Sequence, residues 1–134
     1  MQIIINIDVP DVARAEAFYE EALGLKKVRR LFGGKLAEME RDGQLFHILP
    51  KPDGTAATAA GPARSYVRHW TPLHLDFVVP DLDAAVHRAV QAGADLERPI
   101  TAHVWGRIAG IADPFGHGFC LIELTDAGYG AVAS

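Results

Sequence analysis

Residues 3–25, IIINIDVPDVARAEAFYEEALGL, and residues 73–94, LHLDFVVPDLDAAVHRAVQAGA, carry one pattern twice. Val9-Pro10-Asp11-Val12 returns 70 residues later as Val79-Pro80-Asp81-Leu82. Each copy opens with strict alternation. Ile3, Ile5, Ile7 and Val9 share one face and Gln2, Ile4, Asn6 and Asp8 the other, while Leu73, Leu75, Phe77 and Val79 oppose His74, Asp76 and Val78. Period two marks a strand with one packed face. The chain then turns at proline into a helix whose N-cap is an aspartate, a side chain able to accept from an otherwise unpaired amide. Val12, Ala15, Tyr19, Ala22 and Leu23 recur at helical spacing, as do Leu82, Ala85, Val86 and Ala89, and Gly24 and Gly93 supply the stops.

Working outward, each helix is followed by three expected strands. These cover about 26–32, 35–41 and 44–49 in the first half, and about 96–101, 104–111 and 118–124 in the second. Gly33-Gly34 reads as a hairpin turn between two of them, not a phosphate cradle. Between the halves, DGTAATAAGPA at 53–63 has the small, flexible composition of a linker or mobile flap. The expectation is a single α+β domain over 1–134. It comprises a first βαβββ module at 1–52, a linker or flap at 53–69, a second βαβββ module at 70–127 and a short tail at 128–134.

Composition narrows the function classes. Of 134 residues, 49% are hydrophobic and 22% charged, an ordinary globular balance. The net charge of −4 provides no basic footprint for nucleic acid and no polybasic patch for a membrane surface. No apolar run approaches the roughly 18 residues of a membrane helix. The start, MQIIINIDVPD, lacks the basic and cleavage regions of a signal peptide. Cys120 is the one cysteine, which excludes an internal disulfide and fits a reducing, cytoplasmic setting. No GxSxG, P-loop, GxGxxG or CxxC arrangement occurs.

The closing segment DPFGHGFCLIEL, residues 113–124, places the acid Glu123 near the end of an apolar strand. A buried acid needs a partner, whether a metal, a cation or a hydrogen-bond donor. On the same strand Phe119, Leu121 and Glu123 share a face opposite Cys120, Ile122 and Leu124, and Cys120 reads as a small core residue. Trp105 and Arg107 fall on one face of the preceding strand, with Arg107 suited to anchor an anionic ligand. His69, His87 and His103 read as surface groups and His117 as a loop residue.

The duplicated strand–VPD–helix–GL opening and the closing WGR…DPFGH…IEL resemble the vicinal oxygen chelate superfamily. That superfamily includes glyoxalase I, fosfomycin-resistance enzymes, extradiol dioxygenases and bleomycin-binding proteins. The resemblance spans roughly residues 3 to 125. It implies paired βαβββ modules forming open half-barrels around a cavity, a small-molecule ligand, and pairing into a homodimer. His74 matches the family's ligand histidine on the opening strand of the second module, and Glu123 its ligand glutamate on the final strand. In the first module the position matching His74 is Ile4, which cannot bind metal. The counterpart of Glu123 falls within residues 44–48, where His47 can bind. The implied set is His74, Glu123 and His47, with Asp76 as a substitute, suited to iron, manganese, nickel or zinc. Glu123 also stands as a candidate general base, and Asn6, Asp76, Trp105 and Arg107 as substrate contacts.

Two readings follow. One is a metal-dependent lyase, isomerase or dioxygenase of glyoxalase type, holding adjacent substrate oxygens on the ion. The other is a metal-free small-molecule or antibiotic-binding protein of the bleomycin-resistance type, with no cofactor. The functional cavity is expected to be centred on His74 and Glu123. The metal reading requires them within about 5 Å of each other, the separation two ligands of one ion tolerate.

Overall fold

The computed structural model describes residues 1–134, which divide into two units, Met1–Val67 and Arg68–Ser134. The first unit contains β1 (Ile4–Val9), α1 (Val12–Leu23), β2 (Lys26–Leu31), β3 (Leu36–Arg41) and β4 (Gln44–Pro50). The second contains β5 (Leu75–Val78), α2 (Leu82–Gln91), β6 (Asp95–His103), β7 (Gly106–Ala112) and β8 (Gly118–Leu124). A short 3₁₀ helix, Gly128–Val132, follows. Each unit is therefore βαβββ, and the fold is α+β with two open four-stranded mixed sheets. The strand orders are β1-β4-β3-β2 and β5-β8-β7-β6.

The helices start where the repeat places them. Asp11 accepts from the Arg14 amide at 3.1 Å and Asp81 from the Ala84 amide at 3.0 Å. Gly24 ends α1 in the left-handed region, φ 66°, its amide donating to the Glu20 carbonyl and that of Leu25 to the Tyr19 carbonyl. That conformation costs a residue with a Cβ but not glycine.

In the first unit the buried layer joins Val12, Ala15, Phe18, Tyr19, Ala22 and Leu23 of α1 to Ala37, Met39, Phe46, Ile48 and Val9 of the sheet. In the second, Leu82, Ala85, Val86 and Ala89 of α2 meet a sheet face carrying Ala109, Ile111, Phe119 and Leu121. Full burial of each large apolar side chain contributes about 1.5–3 kcal/mol. This layer fixes which sheet face the helix covers and leaves the opposite face for chemistry.

The segment read as linker or flap folds back in the first unit. Gly54 donates to the Arg64 carbonyl and Arg64 to that of Thr55, at 2.9 and 2.8 Å. The Arg64 guanidinium binds Asp8 of β1 at 2.8 Å, and the Tyr66 hydroxyl donates to the Lys51 carbonyl at 2.6 Å. No helix is long and apolar enough to cross a membrane.

Candidate functional site

Strand register decides which side chains meet. In the second unit β5 runs parallel to β8, pairing Leu75 with Phe119 and Asp76 with Cys120. Paired residues project to the same side, so His74 and Asp76 share a face with Cys120 and Ile122. Glu123 shares the other face with Phe119 and Leu121. There its Oε2 accepts from the amide of Leu82, the first residue of α2, at 2.8 Å.

By register His74 lies opposite Gly118, and Glu123 lies five residues further along β8 (123 − 118). At about 3.3 Å per residue this is roughly 16 Å, on opposite faces of the sheet. The expectation that His74 and Glu123 share an ion is therefore corrected. A pairing register is non-local and was not fixed by the alternation within each strand.

Glu123 is instead committed to structure. Arg107, its partner across β7 and β8, donates from Nε and Nη2 at 3.0 to 3.2 Å, and Nη2 also meets Asp83 at 2.9 Å. The Arg107 guanidinium and then the Leu82 amide hold the Glu123 carboxyl below the usual carboxylate range. A carboxylate so engaged is a poor ligand for a cation and a poor general base. Arg107, expected to anchor a substrate anion, is occupied by the same pair.

His47 is also committed. On the first sheet, Asn6, His47, Glu38 and Arg29 form one row across four strands. The buried Glu38 accepts from Arg29 Nε at 2.8 Å and lies 2.8 Å from His47 Nε2. The contact with His47, then that with Arg29, lowers the Glu38 pKa. Asn6 sits exposed on this face and donates to the Ile4 carbonyl at 3.3 Å.

The second unit carries the equivalent row: Asp76, Cys120, Gly110 and Arg98. Asp76 thus corresponds to Asn6 and Cys120 to His47. The structural counterpart of the first-unit histidine is Cys120, three residues before Glu123. His74, Asp76 and Cys120 bring a nitrogen, an oxygen and a sulfur within 4.8 Å of one another. His74 Nε2 lies 3.3 Å from Asp76 Oδ1, both side chains being partly open, whereas Cys120 is 2% exposed. Burial first, and then Asp76, push the Cys120 thiol up.

Beside this group lies Trp70, an aromatic candidate for stacking on a ligand, with two arginines, Arg68 and Arg98, that sequence reasoning missed. Trp70 makes an edge-on ring contact with His74 at 5.6 Å between centroids. The guanidinium carbons of Arg68 and Arg98 lie 4.8 and 4.6 Å from the Trp70 ring centre. Arg68 is held by Glu97, which also accepts from the Trp70 indole at 3.2 Å. Trp105 lies elsewhere, in the turn between β6 and β7, in stacked contact with His103 at 5.0 Å and with Tyr129 at 5.1 Å. The internal repeat held a signal for Arg98: it follows Arg29 by 69 residues and precedes Pro99, which interrupts a strand pattern.

A family profile described as Glyoxalase-like domain matches residues 4–122. The anthracycline biosynthesis protein DnrV of Streptomyces peucetius is 43% identical over 130 residues, covering 96% of this chain and 43% of that protein. DauV of Streptomyces sp. strain C5, described in the same words, is 34% identical over 127 residues, covering 92% and 41% respectively. The chain thus spans less than half the length of these two relatives. TioX from Micromonospora sp. ML1 superposes with a TM-score of 0.71 at 18% identity, covering 93% of this chain and 99% of that one, a likeness of fold. The chain belongs to the glyoxalase-like domain family of the vicinal oxygen chelate superfamily.

Proposed function

We propose that this protein binds a flat, polycyclic aromatic small molecule without a metal ion, on the second-unit sheet face that carries His74, Asp76 and Trp70. The observation that carries this reading is the engagement of Glu123 by Arg107 and the Leu82 amide. The same holds for His47, whose Nε2 is occupied by Glu38. Two of the three residues of the implied metal set are thereby withdrawn, and that set does not fit a metal ion. What the second-unit face retains is aromatic and polar: an indole, an imidazole edge and a carboxylate, the mix that small-molecule sites use for stacking and orientation. The anthracycline-biosynthesis names of the relatives support flat polycyclic ligands as the class to try first. Assembly as a homodimer belongs to the same reading, and sedimentation as a 14.5 kDa monomer would contradict it.

The test is an equilibrium titration of chelator-treated protein with anthraquinone-2-carboxamide, read by tryptophan fluorescence. Saturable, one-to-one quenching that is unchanged by added zinc or nickel supports the reading. No saturable change, or one that appears only with metal, overturns it.

A second reading rests on the spacing of His74, Asp76 and Cys120. This mixed nitrogen, oxygen and sulfur set suits zinc or a neighbouring divalent ion, which would supply Lewis-acid polarisation of a ligand oxygen. Stoichiometric zinc binding lost in Asp76→Ala favours it over the first.

A further inference from the structure

Each unit places an arginine at the same point of its edge strand, immediately after a break in pairing. The register of β2 shifts between Lys27 and Arg29, and that of β6 between Leu96 and Arg98. Such bulges re-aim a side chain across the sheet. In the first unit Arg29 meets the Glu38 carboxylate. In the second the residue at the position of Glu38 is Gly110, so the carboxylate is missing.

The glycine is required by what lies over it. A Cβ at Gly110 would stand 2.5 Å from Arg98 Nε and 2.9 Å from Arg98 Cβ. Arg98 therefore lies flat across bare backbone, and its Nη2 reaches the Cys120 sulfur at 3.4 Å. A thiol is a weak acceptor for a guanidinium, whose planar fork is matched by a carboxylate or another paired-oxygen anion. The ring of Trp70, 4.6 Å from the guanidinium carbon, holds the fork in place. Gly118 repeats the device on β8, where an added Cβ would lie 2.9 Å from the Trp70 ring.

We propose that Arg98 is the anion anchor of this face, receiving a carboxylate or ionised phenol oxygen on the aromatic ligand. The inference rests on the binding reading above and adds the ligand's charge to it. Glu97, the neighbouring carboxylate that feels the Arg98 charge, is engaged by Arg68 and the Trp70 indole, which leaves the Arg98 fork to make with a ligand the contact that Arg29 makes with Glu38. Asp76, on the far side of Cys120, sets the opposite pole, so the ligand lies with its anionic group toward β6 and its neutral or donor edge toward β5.

The experiment compares anthraquinone-2-carboxylate with anthraquinone-2-carboxamide, two flat probes differing in charge, in chelator-treated protein. The carboxylate should bind about tenfold more tightly in the native chain, as a charge-assisted pair provides. Arg98→Met should erase that preference, the two probes then binding alike, and Arg98→Lys should keep part of it. Equal binding of the two probes by the native protein overturns the anchor while leaving the binding reading intact, and needs no variant to fold. A preference that survives Arg98→Met also overturns it. Failure of both probes to bind removes the binding reading itself, and the anchor with it.

Discussion

Arg107 closes on Glu123 from the neighbouring strand with both Nε and Nη2, while the first amide of α2 caps the same carboxylate. The acid at the end of the apolar β8 strand thus ties sheet to helix. Glu123→Gln should lower the melting temperature by a few degrees at pH 7. It should leave ligand titrations unchanged, because the residue lies on the helix side of the sheet. The pH dependence has a definite sign. The folded pKa of Glu123 lies below its ordinary value of 4.5, so its contribution is present above that value and is lost as pH falls through the folded one. Thermal melts should therefore separate native and variant proteins at pH 7, and the difference should shrink progressively as the pH is stepped down below 4.5.

Glu38 should matter more. Its side chain is 6% exposed against 28% for Glu123, and it is shared by Arg29 and His47. Glu38→Ala removes the buried carboxylate that joins the exposed Arg29 to the largely buried His47, and leaves the His47 ring nitrogen without its partner. The melting temperature at pH 7 should fall further than in Glu123→Gln. A smaller fall would show that the first-unit row is held mainly by its apolar neighbours.

Gly106 opens β7 at φ 155°, with its α-carbon against the backbone of β8. An added Cβ would run into the Glu123 carbonyl and lie 3.0 Å from the Leu124 Cα. Neither neighbour is a side chain that can swing away. Gly106→Ala should cost about 1–3 kcal/mol through backbone strain, measured by urea unfolding. A neutral outcome would mean that the β7–β8 register can slip to accommodate it.

Arg64 pins the 53–66 loop to β1 through Asp8. Arg64→Ala should speed amide exchange and limited proteolysis within that loop while leaving β3 and β4 protected. Uniform exchange throughout the first unit would instead make the ion pair part of the unit's global stability.

The architecture was legible because its signals are local. The alternation of Ile3 to Val9, the aspartate caps and Gly24 each depend on a few consecutive residues, and the repetition of Val-Pro-Asp supplied the duplication. The site was not legible in the same way. Glu123 and Cys120 are three residues apart on one strand, and only the pairing of Asp76 with Cys120 shows which of them faces His74. Likewise Arg107 and Arg98 look interchangeable in sequence. Their difference lies in what stands beside each across the sheet, Glu123 for one and Gly110 for the other.

The most direct test is an amide and indole chemical-shift map of the ¹⁵N-labelled protein titrated with anthraquinone-2-carboxamide in the presence of chelator. Binding on this face should perturb the Trp70 indole and the amides of His74, Asp76, Cys120 and Gly110, with Leu82, Arg107 and Glu123 little changed. Shifts centred on Arg107 and Glu123, or shifts that appear only after zinc is added, would contradict it.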